Sequence, residues 1–181
     1  MAESAVLVKE KIWPGVGYDP HDGQRPVHKS RARHKVVSGG RRLGKSNIGG
    51  HELTPEVLKA NLLSESLRSR GIRREFWIVG PEYSDSEKEF RVFYDDLKRL
   101  EIPLDKPGSY NNPESGEMIV SCWGGLFKCF AKSAKYPSTL VGEGLSGVIL
   151  AEAAKLKPII WPKYIRPTLA DFHGWSLHTS T

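Results

Sequence analysis

The sequence predicts an α/β fold, a mostly parallel sheet with helices on both of its faces. Three observations carry that expectation. Strand-like apolar runs alternate along the chain with segments of helical periodicity. Two of those runs, Phe76-Trp77-Ile78-Val79 and Val148-Ile149-Leu150-Ala151, lack the polar alternation of a strand that faces water on one side, so both of their faces should be covered. A glycine-rich turn, Gly39 to Ser46, lies between the first strand and the helix after it. The 181 residues suffice for one domain with a real core and not for two comfortable ones.

Residues 1–33 read as an irregular N-terminal segment, because Pro14, Gly15, Gly17, Pro20, Gly23 and Pro26 interrupt any periodicity, and residues 34–181 read as the core domain. His34-Lys35-Val36-Val37-Ser38 is a short buried strand. Helical spacing begins at Gly44, and Gly49 and Gly50 should weaken that helix after its first turn. Thr54-Pro55-Glu56 reads as a new helix start, with Thr as the cap and Pro in the first turn. Val57, Leu58, Leu62, Leu63 and Leu67 follow, mostly on one face, until Gly71. Glu75 to Gly80 forms a second strand, closed by Pro81. From Asp85 to about Leu100 the chain is amphipathic, with Phe90, Phe93, Leu97 and Leu100 sharing a side. Residues 101–116 read as a loop. Met118–Cys122 and Leu126–Ala131 flank Gly124-Gly125 as a hairpin. After the strand from Gly147 to Ala151, a broken helical stretch covers about 158–170, and Trp175–His178 reads as a last strand.

Lysines and arginines outnumber acids 27 to 21, a formal charge of +6 that favours an anionic partner. The surplus is uneven. Arg25, Lys29, Arg31, Arg33, Lys35, Arg41, Arg42 and Lys45 succeed one another with no acid between them, a clustering suited to phosphates. No apolar run approaches the roughly 20 residues that span a bilayer, and no signal-peptide pattern opens the chain. Cys122 and Cys129 lack partners at metal spacing and read as half-buried thiols of a reduced compartment. The six histidines show no paired metal spacing, and none is assigned to catalysis.

Gly39-x-x-x-x-Gly44-Lys45-Ser46 satisfies G-x-x-x-x-G-K-[ST], the phosphate-binding P-loop, in full. Glycines let the loop wrap so that successive backbone N–H groups face phosphate oxygens, and the following helix offers its positive end to the same anion. Ser38, Gly39, Gly40, Arg41, Arg42, Leu43, Gly44, Lys45 and Ser46 are therefore the candidate nucleotide-binding residues. Lys45 would neutralise the β- and γ-phosphates of ATP, and Ser46 would offer its hydroxyl to Mg²⁺. Such a loop needs an acidic strand end as its partner, an Asp for the metal followed by a Glu for the attacking water. Val148-Ile149-Leu150-Ala151-Glu152 is the candidate: Glu152 stands at the catalytic position, and Ala151 stands where the Asp is expected.

In order and spacing these segments resemble the large terminase subunit of tailed double-stranded DNA bacteriophages, from about residue 18 to residue 181. Tyr18-Asp19-Pro20-His21-Asp22-Gly23-Gln24 resembles the family's segment ahead of the P-loop, whose Gln reads the adenine edge. Ser38 to Ser46 resembles its arginine-rich phosphate loop. Ile78-Val79-Gly80-Pro81-Glu82-Tyr83 resembles the strand and Pro-x-Tyr element that follow. The run from Gly147 to Ala154 resembles the stretch ending in D-E-A-A, and Thr179-Ser180-Thr181 resembles the coupling motif that senses the γ-phosphate.

The resemblance implies a P-loop ATPase fold of the additional-strand, catalytic-Glu type. It implies ATP and Mg²⁺ as ligands, and translocation of double-stranded DNA into a procapsid by a homo-oligomeric ring. The implied partners are the portal protein and the small terminase subunit, with no membrane, in the host cytoplasm and transiently at the portal vertex. It also implies a nuclease domain that these residues do not include, so the ATPase fold is expected to lack its last strands and to expose a sheet edge, which favours self-association.

Two positions depart from the family pattern. Ala151 is read as a hydrolysis-blocking replacement of Asp, in preference to a natural loss. Val141 sits where many relatives carry an Arg that reaches the neighbouring subunit's nucleotide, which leaves Arg41, Arg42 and Arg166 as alternatives. Arg42 is open to two readings, a solvated charge or a catalytic group at the γ-phosphate. The Lys155–Lys163 stretch either faces DNA or is a solvated edge. Three further functions stand beside the motor: a cellular helicase or translocase, a nucleotide-binding module that does not hydrolyse ATP, and, least favoured, a small-molecule kinase.

Overall fold

A computed structural model of the chain describes residues 9–106, 108–142 and 144–181. Residues 1–8, Pro107 of the expected loop and Glu143 beside Val141 lie outside the described residues, and the segment expected to be irregular carries a 3-10 turn, Trp13–Val16, and a helix, Arg25–Lys29.

The described strands form a seven-stranded sheet: β1 His34–Ser38, β2 Arg74–Gly80, β3 Tyr110–Asn112, β4 Glu117–Cys122, β5 Phe127–Ser133, β6 Gly147–Leu150 and β7 Trp175–Ser180. They lie in the order β1-β7-β6-β2-β5-β4-β3. The run from β1 to β5 is parallel, and β4 and β3 extend it as an antiparallel ribbon. Helices α1 Arg25–Lys29, α2 Lys45–Leu62, α3 Ser64–Ser69 and α4 Tyr83–Arg99 join them. No helix among the described residues is long and apolar enough to cross a membrane.

The period of a strand divides the core between the two faces. Phe76 and Ile78 of β2, Ile149 of β6 and Leu177 of β7 pack with Ile48, Leu53 and Val57 of α2 and with Phe90, Phe93 and Leu97 of α4. Trp77, Val79, Val148 and Leu150 point the other way, onto Leu140, Leu145, Ile160, Ile165 and Leu169. The second face is covered by a π turn, Ile160–Ile165, and a 3-10 turn, Pro167–Leu169, which together form the expected broken helix.

Three expectations are corrected. First, β1 is not a buried strand. It pairs with β7 alone, Val37 is its buried residue, and Val36 is 78% exposed. Secondly, α2 does not restart at Thr54; it runs unbroken from Lys45 through Gly49, Gly50 and Pro55. A Cβ on Gly49 would lie 2.7 Å from Glu89 Cγ, and one on Gly50 would lie 2.5 Å from Val92 Cβ. The glycines thus bring α2 against α4, and burial outweighs a propensity cost of about 1 kcal/mol each. Across the same contact the Thr54 hydroxyl donates to Asp96 Oδ2 at 2.6 Å. Thirdly, the loop over 101–116 contains β3, whose three residues gain regular structure only by pairing with β4.

Two helix and turn boundaries have local causes. Helix α4 begins two residues before Asp85, because Glu82 and Asp85 form a reciprocal capping box. The β4–β5 turn carries positive φ at Trp123, Gly124 and Gly125, and Asp105 accepts the N–H groups of Gly124 at 2.9 Å and Gly125 at 2.7 Å.

Gly50→Ala tests the helix contact. Propensity alone predicts stabilisation by about 1 kcal/mol; the approach of Val92 predicts a loss of about 1–3 kcal/mol from overpacking. We expect a lower midpoint in thermal unfolding, and a raised one would refute the close α2–α4 contact.

Candidate phosphate-binding site

The carboxyl ends of three neighbouring parallel strands build the site. Ser38 of β1 lies beside Ser180 of β7, and Leu150 of β6 lies beside His178 of the same strand. Between β1 and α2 the loop is held at both ends: Gly39 N–H donates to Ser180 O at 3.2 Å, and Ile48 N–H donates to Gly44 O at 3.0 Å. Arg42 and Gly44 both adopt left-handed backbone, with φ of 72° and 71°. For Arg42 this costs about 1–3 kcal/mol, which a rigid surround must impose. Left-handed residues interspersed in a turn aim consecutive N–H groups at one centre, an anion-binding nest. Gly44 is required twice over, since a Cβ there would also meet Gln24 Nε2 at 2.5 Å.

Lys45, the first residue of α2, donates its ammonium to Gly39 O at 2.8 Å and Gly40 O at 3.0 Å, so the lysine closes the loop on itself. A cavity of about 410 Å³ opens in front of it, lined by Arg41, Arg42, Gly44, Lys45, Ser46, Asn47, Glu152, Lys155 and Thr181. A second cavity, about 420 Å³ and lined in part by Arg31, Arg33 and Lys35, adjoins the first residues of β1 instead.

The basic run of the sequence is therefore divided. Arg41, Arg42 and Lys45 reach the loop cavity, whereas Arg25 pairs with Asp19, Lys35 pairs with Glu52, and Arg33 donates to Gly174 O and Leu169 O. A strand advances about 3.3 Å per residue, so β1 carries its first cations away from the loop. Arg166 follows the π turn and is exposed, outside the loop cavity.

Glu152 follows β6 with left-handed backbone, φ 49°, and its carboxylate lies 3.4 Å from Lys155 Nζ. Ala151 is fully buried, and its N–H donates to Val79 O. The β7 end ties the pieces together: Ser180 Oγ accepts Ala154 N–H at 3.1 Å, and the buried Thr179 hydroxyl reaches Leu150 O at 3.5 Å. Gln24 is 4% exposed and its amide is committed to protein, Nε2 donating to Leu43 O at 3.0 Å and Oε1 accepting His21 N–H at 3.1 Å. Val141, after a 3-10 turn, is exposed.

Sequence reasoning missed two buried acids. Glu89 sits on the apolar side of α4 and is 3% exposed. The Ser46 hydroxyl donates to it, while burial first and the charge of Glu152 after it push its carboxyl up to about 7. Its only signal in the sequence is an acid among the core-facing positions Ser86, Phe90 and Phe93.

Glu52 of α2 gathers the N-terminal segment. It accepts His28 Nδ1–H at 2.6 Å and pairs with Lys9 at 2.8 Å and Lys35 at 3.0 Å. Burial alone would raise its carboxyl, but His28, Lys9 and Lys35 together hold it well below the usual carboxylate range. Burial in turn lowers His28, whose neutral ring fits both bonds: Nδ1–H to Glu52, and Nε2 accepting the Tyr18 hydroxyl at 2.8 Å. His28, one of the histidines given no role, thus anchors the segment that carries Gln24. Burial raises the thiols of Cys122, to about 12, and of Cys129, and keeps both protonated. No cluster of three metal-ligating side chains occurs among the described residues.

Glu52→Gln tests the anchor. It strands two buried ammonium groups, so we expect a loss of about 3–5 kcal/mol near neutral pH. The lowered carboxyl stabilises the parent fully above about pH 4.5, and that contribution fades as the pH falls towards its folded value. The parent's melting temperature should therefore fall below pH 4.5 more steeply than the variant's; parallel curves would refute a charged Glu52.

No family model matches the chain. Its sequence is 30% identical, over 95% of its length, to the terminase large subunits of Thermus phage G20c and Thermus virus P23-45. It spans 36% of the length of those relatives. Its fold is similar to the large terminase ATPase domain of Thermus phage P74-26, with a TM-score of 0.69 and 28% identity, over 94% of this chain and 68% of that one.

Proposed function

Because the chain belongs, over the length it spans, with the ATPase region of the phage terminase large subunits, we propose that it is an ATP-binding and hydrolysing motor domain for packaging double-stranded DNA into a procapsid. The observation that carries this reading is Ser180, whose carbonyl receives the phosphate loop and whose hydroxyl receives the segment after Glu152. A strand end joined to both is suited to pass a change at the γ-phosphate into the sheet.

In this reading Ser38 to Ser46 enclose the triphosphate, and Lys45 exchanges the carbonyls of Gly39 and Gly40 for phosphate oxygens. Arg42, held in strained backbone, and Arg41 face the same cavity and supply positive charge to the γ-phosphate or to a neighbouring subunit's nucleotide, since Val141 cannot. Glu152 releases Lys155 to orient and deprotonate the attacking water. Thr179, Ser180 and Thr181 couple the event to movement. Gln24 holds the loop through Leu43 O, and reading adenine would require it to exchange that bond. Arg166, which does not line the cavity, is the weakest candidate for the arginine in trans.

The Ser46 hydroxyl is a hard oxygen donor of the kind Mg²⁺ takes, and the Glu152 carboxylate lines the same cavity and adds negative charge there. When bound there, Mg²⁺ would neutralise charge on the β- and γ-phosphates. The methyl of Ala151 offers no oxygen, so hydrolysis is impaired in this chain. That position also favours the second reading, a nucleotide-binding module without turnover. The working assembly is a homo-oligomeric ring at the portal, with the small subunit as partner, in the host cytoplasm and transiently at the procapsid vertex. Residues 1–33 are the N-terminal segment that carries Gln24, and 34–181 the ATPase core.

Titration with a fluorescent ATP analogue should give at least about 10-fold weaker binding for Lys45→Ala, as befits the loss of a charge-assisted phosphate contact; unchanged affinity would end the nucleotide reading. Steady-state phosphate release should rise at least about 10-fold on Ala151→Asp, the scale of a restored metal-site partner. No gain in that assay would favour the module without turnover.

A further inference from the structure

Glu89 of α4 belongs to the same end of α2 as the phosphate loop. Its side chain crosses Gly49, where a Cβ would lie 2.7 Å from Glu89 Cγ, and it accepts the Ser46 hydroxyl three residues earlier. Any other residue at 49 would push the carboxylate away from Ser46. The second oxygen, Oε2, has no hydrogen-bond partner although the residue is 3% exposed. Buried carboxylate oxygens are rarely left so, and those that are need an explanation such as an ion or a catalytic task. Lys88, the adjacent cation on α4, is an exposed partner of Asp85, whereas Glu152 lies close enough for its charge to be felt. Ser46 thus stands between two acids: Glu152 lines the loop cavity with it, and Glu89 lies buried behind it, beyond the cavity lining.

We propose that Glu89 is the positioning carboxylate of the divalent-cation site, taking the place that an acid at 151 would hold. By accepting the hydrogen bond of the Ser46 hydroxyl it turns the oxygen lone pairs outward to the cation, and, ionised when the cation binds, it adds a second negative charge beside Glu152. The inference rests on the nucleotide-binding reading above. A purely structural Glu89, buried to fill the gap over Gly49, is the competing account.

Glu89→Gln in the full chain separates the two, because the amide keeps the shape and still accepts the Ser46 hydroxyl. ADP affinity is measured by calorimetry with saturating Mg²⁺ and again with EDTA, and Mn²⁺ affinity of the ADP complex by electron paramagnetic resonance. We expect about 10-fold or greater loss of Mn²⁺ affinity and of Mg²⁺-linked ADP binding, with metal-free ADP binding within about twofold of the parent. Adding Ala151→Asp to the variant should restore the metal-linked part. Equal loss with and without metal, or no loss in either, overturns the proposal in favour of the structural account. If the Gln variant fails to fold, Glu89→Asp keeps the charge but retracts it by one carbon, and the same metal-selective loss is expected; metal affinity equal to the parent's overturns the proposal. Failure of the parent itself to bind ADP under both conditions sinks the nucleotide reading instead.

Discussion

The hydrogen bond from Gly39 N–H to Ser180 O fixes where everything else in the site can lie. It joins the last residue pair of the β1–β7 ladder to the first residue of the phosphate loop. With β7 seated between β1 and β6, the loop, the Glu152 segment and the β7 end emerge side by side from one edge of the sheet. Parallel strands align their carboxyl ends, which makes this edge the natural place for a ligand crevice. An antiparallel β7 would have sent Thr179 and Ser180 to the opposite side.

Two helix contacts then set the depth of the site. Gly49 and Gly50 let α4 lie against α2 closely enough for Glu89 to reach Ser46, and a larger residue at either position would separate the helices. At the same interface Asp96 accepts both the Thr54 hydroxyl and His51 Nδ1–H, each at 2.6 Å. On the far side of α2, Glu52 holds Lys9, His28 and Lys35, and through α1 it keeps Gln24 against the loop carbonyls. The helix that begins at Lys45 is thus clamped on two sides by buried charge. This is a demanding arrangement, because removal of one partner leaves another desolvated.

Three constrained residues adjoin the candidate site. Arg42 and Glu152 hold left-handed backbone without being glycine, and Glu89 retains an unpaired oxygen. Neither feature is confined to the site, since Glu101, Trp123 and His173 also hold left-handed backbone and Asp96 also has an unpaired buried oxygen. At the loop, however, the two features fall on adjoining elements, where local stability can be traded for geometry.

By itself the sequence determined the local features: the Gly39–Ser46 loop between a strand and a helix, the apolar runs of β2 and β6, the amphipathic α4 and the hairpin around Gly124-Gly125. Each is written in neighbouring residues, as backbone freedom, side-chain period or a contiguous motif. The Gly39–Ser46 loop between β1 and α2 and the place of Glu152 just after β6 were legible for that reason, and the terminase resemblance ordered them. Only the tertiary structure decided that Gly49 and Gly50 pack a continuous helix instead of ending one, that β1 has one neighbour, and that β7 enters the middle of the sheet. It alone brought Glu89 to Ser46, and Lys9, His28 and Lys35 to Glu52. Those outcomes depend on residues tens of positions apart, where burial and charge pairing between segments exceed the fraction of a kilocalorie that local propensity commands.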